Sequence, residues 1–94
     1  MMNENQKEDV QKRLNKINGQ INGVGKMITD NRYCIDILTQ TRAVISALRK
    51  VEDLIMHQHL QTCVADSMRS NNPDEQNEKI NEVMDMISRF RKAG

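Results

Sequence analysis

From Cys34 to Ser70 the chain runs for 37 residues without a proline or a glycine. A stretch of that length with no turn-forming residue reads as one very long helix, and Leu38, Ile45, Leu48, Val51 and Ile55, with the small Ala43 and Ala47, mark its apolar side. Before it, Val10, Leu14, Ile17, Ile21, Val24 and Ile28 recur at alternating steps of four and three, a heptad-like stripe that predicts an amphipathic helix over about 6–29. Gly19, Gly23 and Gly25 fall inside it, each costing about 1 kcal/mol relative to Ala, which suits close approach of another helix or a ligand. Asp30 and Asn31 supply turn chemistry at its end. After the long helix, Asn72 reads as an N-cap, Pro73 as the first helical residue and Glu75 as the acid three beyond the cap. A third helix follows to about residue 91, with Ile80, Val83, Met84, Ile87 and Phe90 inward. No strand pattern and no repeat is visible. The expectation is an all-α chain, residues 1–94 forming one domain with helices over about 6–29, 33–70 and 73–91.

With no Trp, one Tyr and one Phe, any core must be built from Ile, Leu, Val, Met and Ala, the material of helix–helix packing. A 94-residue domain has little apolar surface to bury, so association of copies would help it. Met27, Met56, Met68, Met84 and Met86 read as filler in such a core rather than as thioether ligands. The polar start MMNENQKEDV and the absence of any long apolar run disfavour a signal peptide or a membrane span, so a cytoplasmic protein is expected. In a reducing compartment two cysteines read as thiolates for metal or sulfur chemistry, not as a structural disulfide. Charge is segregated: residues 1–50 hold nine Lys/Arg against five Asp/Glu, and residues 51–94 hold five against eight. A basic first half suits one surface that faces a polyanion.

The stretch HQHLQTC at residues 57–63 holds two histidines and a cysteine. At 100° per residue, Cys34 and His59 lie about 20° apart on one helical wheel, and Cys63 keeps all three within about 40°, if the helix is unbroken. His57 lies about 140° from Cys34 and is a bystander. The same helix separates Cys34 from His59 by roughly 37 Å, so the three cannot meet in one chain. Two copies packed antiparallel about a two-fold axis near Ala47 and Leu48 would bring Cys34 of one to His59 and Cys63 of the other, giving two equal sites. Two thiolates and an imidazole suit trigonal Cu(I); Zn(II) would want a fourth ligand that nothing obvious supplies.

RLNKINGQ at 13–20, Gly23, Met27, Tyr33-Cys34, DILTQ at 36–40, Ala43, Ala47-Leu48 and HLQTCV at 59–64 resemble the copper-sensitive operon repressor (CsoR) family of bacterial transcription factors. The likeness covers about residues 8–69, and the Cys, His and Cys at these separations are its specific part. It implies an antiparallel helical-bundle dimer assembling into a disc-shaped homotetramer. Such a protein binds operator DNA without a helix-turn-helix and is released when ligand enters the intersubunit site. Relatives sense nickel or cobalt, formaldehyde or reactive sulfur. The histidines that nickel sensors add, one near the N-terminus and one in place of Cys63, are absent here. Formaldehyde sensors generally lack the second cysteine, and persulfide sensors usually lack the histidine, so His59 favours copper. The resemblance also implies that a Tyr and a Glu orient the ligating His. Tyr33 matches the first; Glu82 is the choice for the second, with Glu78 open because the connection 70–78 is longer than in the family.

Operator binding requires cations that meet phosphates. Lys12, Arg13, Lys16 and Gln20 lie along the outer side of the first helix, and Arg42 and Arg49, one heptad apart, extend the surface, with Lys50 a lesser candidate. The family usually has Arg where Lys16 stands, which reduces bidentate recognition to a point charge. The expected function is a Cu(I)-responsive repressor. The alternatives are a persulfide-responsive repressor using Cys34 and Cys63 on the same scaffold, and a copper-buffering or adaptor protein with no DNA role. No constellation of nucleophile, base and pocket suggests an enzyme.

Overall fold

The computed structural model describes the backbone of residues 2–92 and their side chains other than those of residues 63, 91 and 92. The chain is all-α: α1 (Glu4–Thr29), α2 (Cys34–His59), a π-helical turn (Leu60–Val64), α3 (Ala65–Arg69) and α4 (Pro73–Lys92), with no strand among the described residues. No described helix is long and apolar enough to cross a membrane.

Local chemistry sets the helix ends. α1 starts earlier than its apolar stripe because Asn3 caps it: Asn3 Oδ1 accepts from the Gln6 N–H, and Gln6 Oε1 accepts from the Asn3 N–H, both at 2.8 Å. It stops where Asn31 takes φ 55°. In that left-handed conformation the Asn31 N–H reaches Ile28 O at 3.2 Å and the Arg32 N–H reaches Met27 O at 2.9 Å, satisfying carbonyls that the helix end would orphan. Asn72 Oδ1 accepts from the Asp74 and Glu75 N–H groups at 3.0 and 3.4 Å, with Pro73 opening α4 as expected.

The long middle helix is not uniformly α. Helical backbone continues from residue 34 to 69, but residues 60–64 form a π turn. Within it Thr62 Oγ1 donates to Gln58 O at 2.8 Å, a side-chain bond to the carbonyl four residues back that competes with the regular ladder. A turn closed by bonds to the fifth residue is wider, so the 100° step no longer applies between His59 and Cys63. The part of the 40° wedge that depended on that step is lost. The Cys63 backbone lies in this turn; its side chain lies outside the described ones.

Residues 2–57 form one compact unit and the chain from Gln58 onward forms another. In the first, Val10 and Ile17 of α1 and Val44 and Val51 of α2 are buried, with Met2, Leu14 and Ala47 packed against them. The α1 stripe is buried mainly in its first half: Ile21 and Ile28 are exposed and Val24 is half-buried. On α2 the same holds for Leu38, Ile45, Leu48 and Ile55. The helix has a broader apolar arc than one neighbour can cover. Nor does anything approach the three helical glycines: a Cβ added at Gly19, Gly23 or Gly25 would meet no atom within 4 Å. Whatever close approach they serve is not made by the described chain.

The second unit is a hairpin of α3 and α4 held mainly by polar groups. Its one buried described residue is Ser67. Gln76 Nε2 donates to Met68 O at 3.2 Å and to Ser70 O at 2.7 Å, occupying carbonyls at the end of α3. Gln76, Lys79, Val83 and Met86, at steps of three, four and three, are the half-buried face of α4. The set expected to point inward is thereby corrected: Ile80, Met84, Ile87 and Phe90 are exposed, and only Val83 is partly covered. They occupy the strip next to the packed one. Met68 and Met84, expected as core filler, are exposed as well.

Candidate ligand-sensing site and basic cleft

α2 carries two apolar faces. Measured from Cys34 at 100° per residue, the packed residues Val44, Ala47 and Val51 fall between about −80° and −140°. The exposed Leu38, Ile45, Leu48 and Ile55 fall between about +40° and −60°, and His59 at about −20°. Cys34 and His59 therefore stand at the two ends of the uncovered apolar arc. Cys34 is an exposed free thiol in the first turn of α2. Tyr33 precedes the helix; its carbonyl accepts from the Ile37 N–H at 3.1 Å and its side chain is exposed.

His59 is the more shielded end, with 17% of its side chain accessible. Its Nε2 lies 2.9 Å from Glu82 Oε1, so Glu82 is the acid that meets the imidazole, and Glu78 is exposed. The other oxygen, Oε2, is 3.0 Å from Lys79 Nζ. The Glu82 carboxyl is pulled below its ordinary value, first by the hydrogen bond from Lys79, then by that from His59, against the opposing effect of desolvation. An ionised carboxylate only accepts, so Nε2 is the nitrogen that donates to Glu82. Among the described residues no three His, Cys, Asp or Glu side chains of one chain come together as a metal site.

The basic residues divide. Arg13, Lys16, Ile17 and Gln20 of α1 line a cleft of about 330 Å³ whose other wall is Ala43, Ser46, Ala47 and Lys50 of α2. Each helix contributes a face at steps of three, one and three, and no carboxylate lines the cleft. Arg13 also contacts Asp9 at 3.4 Å, an exposed pair that leaves the guanidinium largely available. Lys12, Arg42 and Arg49 are exposed and do not line it. Lys50, only a lesser candidate from sequence, is one of its three cations. His57 lines a neighbouring cleft with Arg13, Lys50, Asp53 and Leu54. Lys79 was missed altogether, although its place three residues before Glu82 on a helix was a readable signal.

Comparison with known proteins agrees with this architecture. Residues 6–89 match the family described as metal-sensitive transcriptional repressor. The copper-sensing transcriptional repressor CsoR of Bacillus subtilis is 34% identical over 88 residues, 94% of this chain and 84% of that protein. The copper-sensing repressor CsoR with Cu(I) from Geobacillus thermodenitrificans, a crystal structure, has a similar fold with a TM-score of 0.85 at 40% identity, covering 97% of this chain and 92% of that one. The nickel-responsive transcriptional regulator InrS is similar at a TM-score of 0.73 and 32% identity, covering 84% and 89%. Matched over nearly its whole length in sequence and in fold, the chain belongs to the metal-sensitive transcriptional repressors, the CsoR family.

Proposed function

We propose that this protein is a Cu(I)-responsive transcriptional repressor: metal-free, it holds operator DNA, and Cu(I) at an intersubunit site of Cys34 from one copy with His59 and Cys63 from another releases it. The observation that carries the reading is the uncovered apolar arc of α2 with Cys34 and His59 at its ends. Such an arc is a surface for a second copy of the same helix, and an antiparallel pairing exchanges the ends, so the covering of Leu38, Ile45, Leu48 and Ile55 and the assembly of the ligands become one event. Residues 1–94 then act as one DNA-binding and sensing domain within a dimer, and the exposed strip of α4 suits its further pairing into a homotetramer. Two thiolates and an imidazole form a soft donor set that suits Cu(I), which accepts three ligands. The chain's only other histidine, His57, faces away from this arc, which disfavours nickel despite the likeness to InrS.

On the metal-free side, Arg13, Lys16 and Lys50 supply phosphate contacts, with Gln20 beside them and Lys12, Arg42 and Arg49 widening the field. A cytoplasmic repressor without enzymatic activity fits both parts. His59 joins sensing to release: its Nδ1 faces the ligand while its Nε2–H holds Glu82 on α4, so a change in the ring's position is felt by that helix. Operator titrations with and without Cu(I) under anaerobic conditions test this. His59→Ala retains part of the Cu(I) affinity through the two thiolates but loses copper-driven release; release at the wild-type level in that variant would refute the coupling. The exposed thiol of Cys34 favours a second reading, a persulfide sensor. Crosslinked dimers after polysulfide treatment, without tight Cu(I) binding, would establish it instead.

A further inference from the structure

The other acid–base pairs within single helices differ from the one at Glu82. Lys7, Arg13, Arg69 and Arg89 keep 58, 45, 80 and 76% of their side chains accessible, whereas Lys79 keeps 30%. It lies on the half-buried face of α4 with Gln76 and Val83, a place where a lysine is disfavoured unless its ammonium has a partner. Glu82 Oε2 is a partner at 3.0 Å. A carboxylate tethered at one oxygen cannot spin freely, and here the oxygen left over is the one 2.9 Å from His59 Nε2.

We propose that Lys79 is a positioning residue of the sensor, holding one Glu82 oxygen so that the other is fixed toward His59 and selects the Nε2–H form of the ring. The inference rests on the reading of His59 as a ligand. Lys79 bonds Glu82 and so acts at one remove from the ring. Its effect passes through Glu82 to the ring, and with the ring to the coupling between α4 and the intersubunit site. A solvated pair three residues apart would add slightly to helix stability and nothing to the tautomer of a distant imidazole.

The test uses the full-length protein, with Lys79→Met and Lys79→Arg. In metal-free protein at alkaline pH, nitrogen NMR of the His59 ring should show the Nε2–H tautomer in the wild type and a mixture of tautomers in Lys79→Met. The ratio of operator affinities without and with Cu(I) should fall by roughly fivefold or more in Lys79→Met. Helix content by circular dichroism should be retained, and Lys79→Arg, which keeps a cationic donor, should restore both readouts. A wild-type ring spectrum or a wild-type affinity ratio in Lys79→Met overturns the proposal, as does an Arg variant as defective as the Met variant. Should the wild type itself show no copper-driven release, the failure lies in the proposed function, and the ring spectrum alone decides on Lys79.

Discussion

The two halves of this chain are held together by different forces. Residues 2–57 cohere through aliphatic contact, with Val10 and Ile17 on one helix and Val44 and Val51 on the other. From Gln58 onward only Ser67 is buried among the described residues, and directional bonds join the elements: Gln76 on the carbonyls of Met68 and Ser70, and His59 with Glu82. Apolar contact is non-directional and indifferent to what binds elsewhere. A hydrogen bond to an imidazole is directional and depends on the state of that ring. The first half is built as a fixed platform for a basic cleft. The second can register chemistry at His59.

The contrast can be broken or sharpened by experiment. The largest effect is expected in the apolar half: Ile17→Ala, which truncates a side chain only 4% exposed, should lower stability by about 2–3 kcal/mol in urea unfolding at fixed protein concentration. A change below half of that would mean the four-residue core is not what holds α1 to α2. In the polar half, Gln76→Ala removes donors to two carbonyls and should cost about 1 kcal/mol, with faster amide exchange confined to residues beyond 58. Exchange that rises equally in α1 would erase the distinction. The smallest effect is that of acid. The Glu82 carboxyl titrates lower in the folded chain than unfolded, so its stabilisation is complete above the ordinary Glu value and is lost as pH falls through the lowered one. Because Glu82 is 47% exposed, solvent screens the effect. Exchange protection of α4 should drop in acid by more than that of α1, and Glu82→Gln should abolish the excess.

Much of this was legible in the residues. The turn chemistry of Asn31, Asn72 and Pro73 depends on neighbours in sequence and could be read directly, as could the placement of Cys34 and His59 on one arc of a regular helix. What failed depended on through-space competition. The π turn at 60–64 is not announced even by the Thr62 bond to Gln58 O, since Thr39 makes the same bond to Ile35 O within regular α-helix, and residue periodicity carries no mark of it. The packed face of α4 was misassigned because amphipathic reading awards the inside to Ile80, Met84 and Ile87, while Gln76 takes a place there by hydrogen bonding to the carbonyls of Met68 and Ser70. Lys50 was undervalued for a similar reason: only the pairing of α1 with α2 reveals that it shares a cleft with Arg13 and Lys16.

The bare aliphatic strips on α2 and α4 have a consequence for how much of this protein a cell must make. A folded form that leaves Leu38, Ile45, Leu48 and Ile55 wet gains free energy from every encounter that dries them, so abundance enters directly into its endurance. A form that pairs through these strips would lose its partner and its stability together on dilution. For such a form, expression level would become part of its thermodynamics.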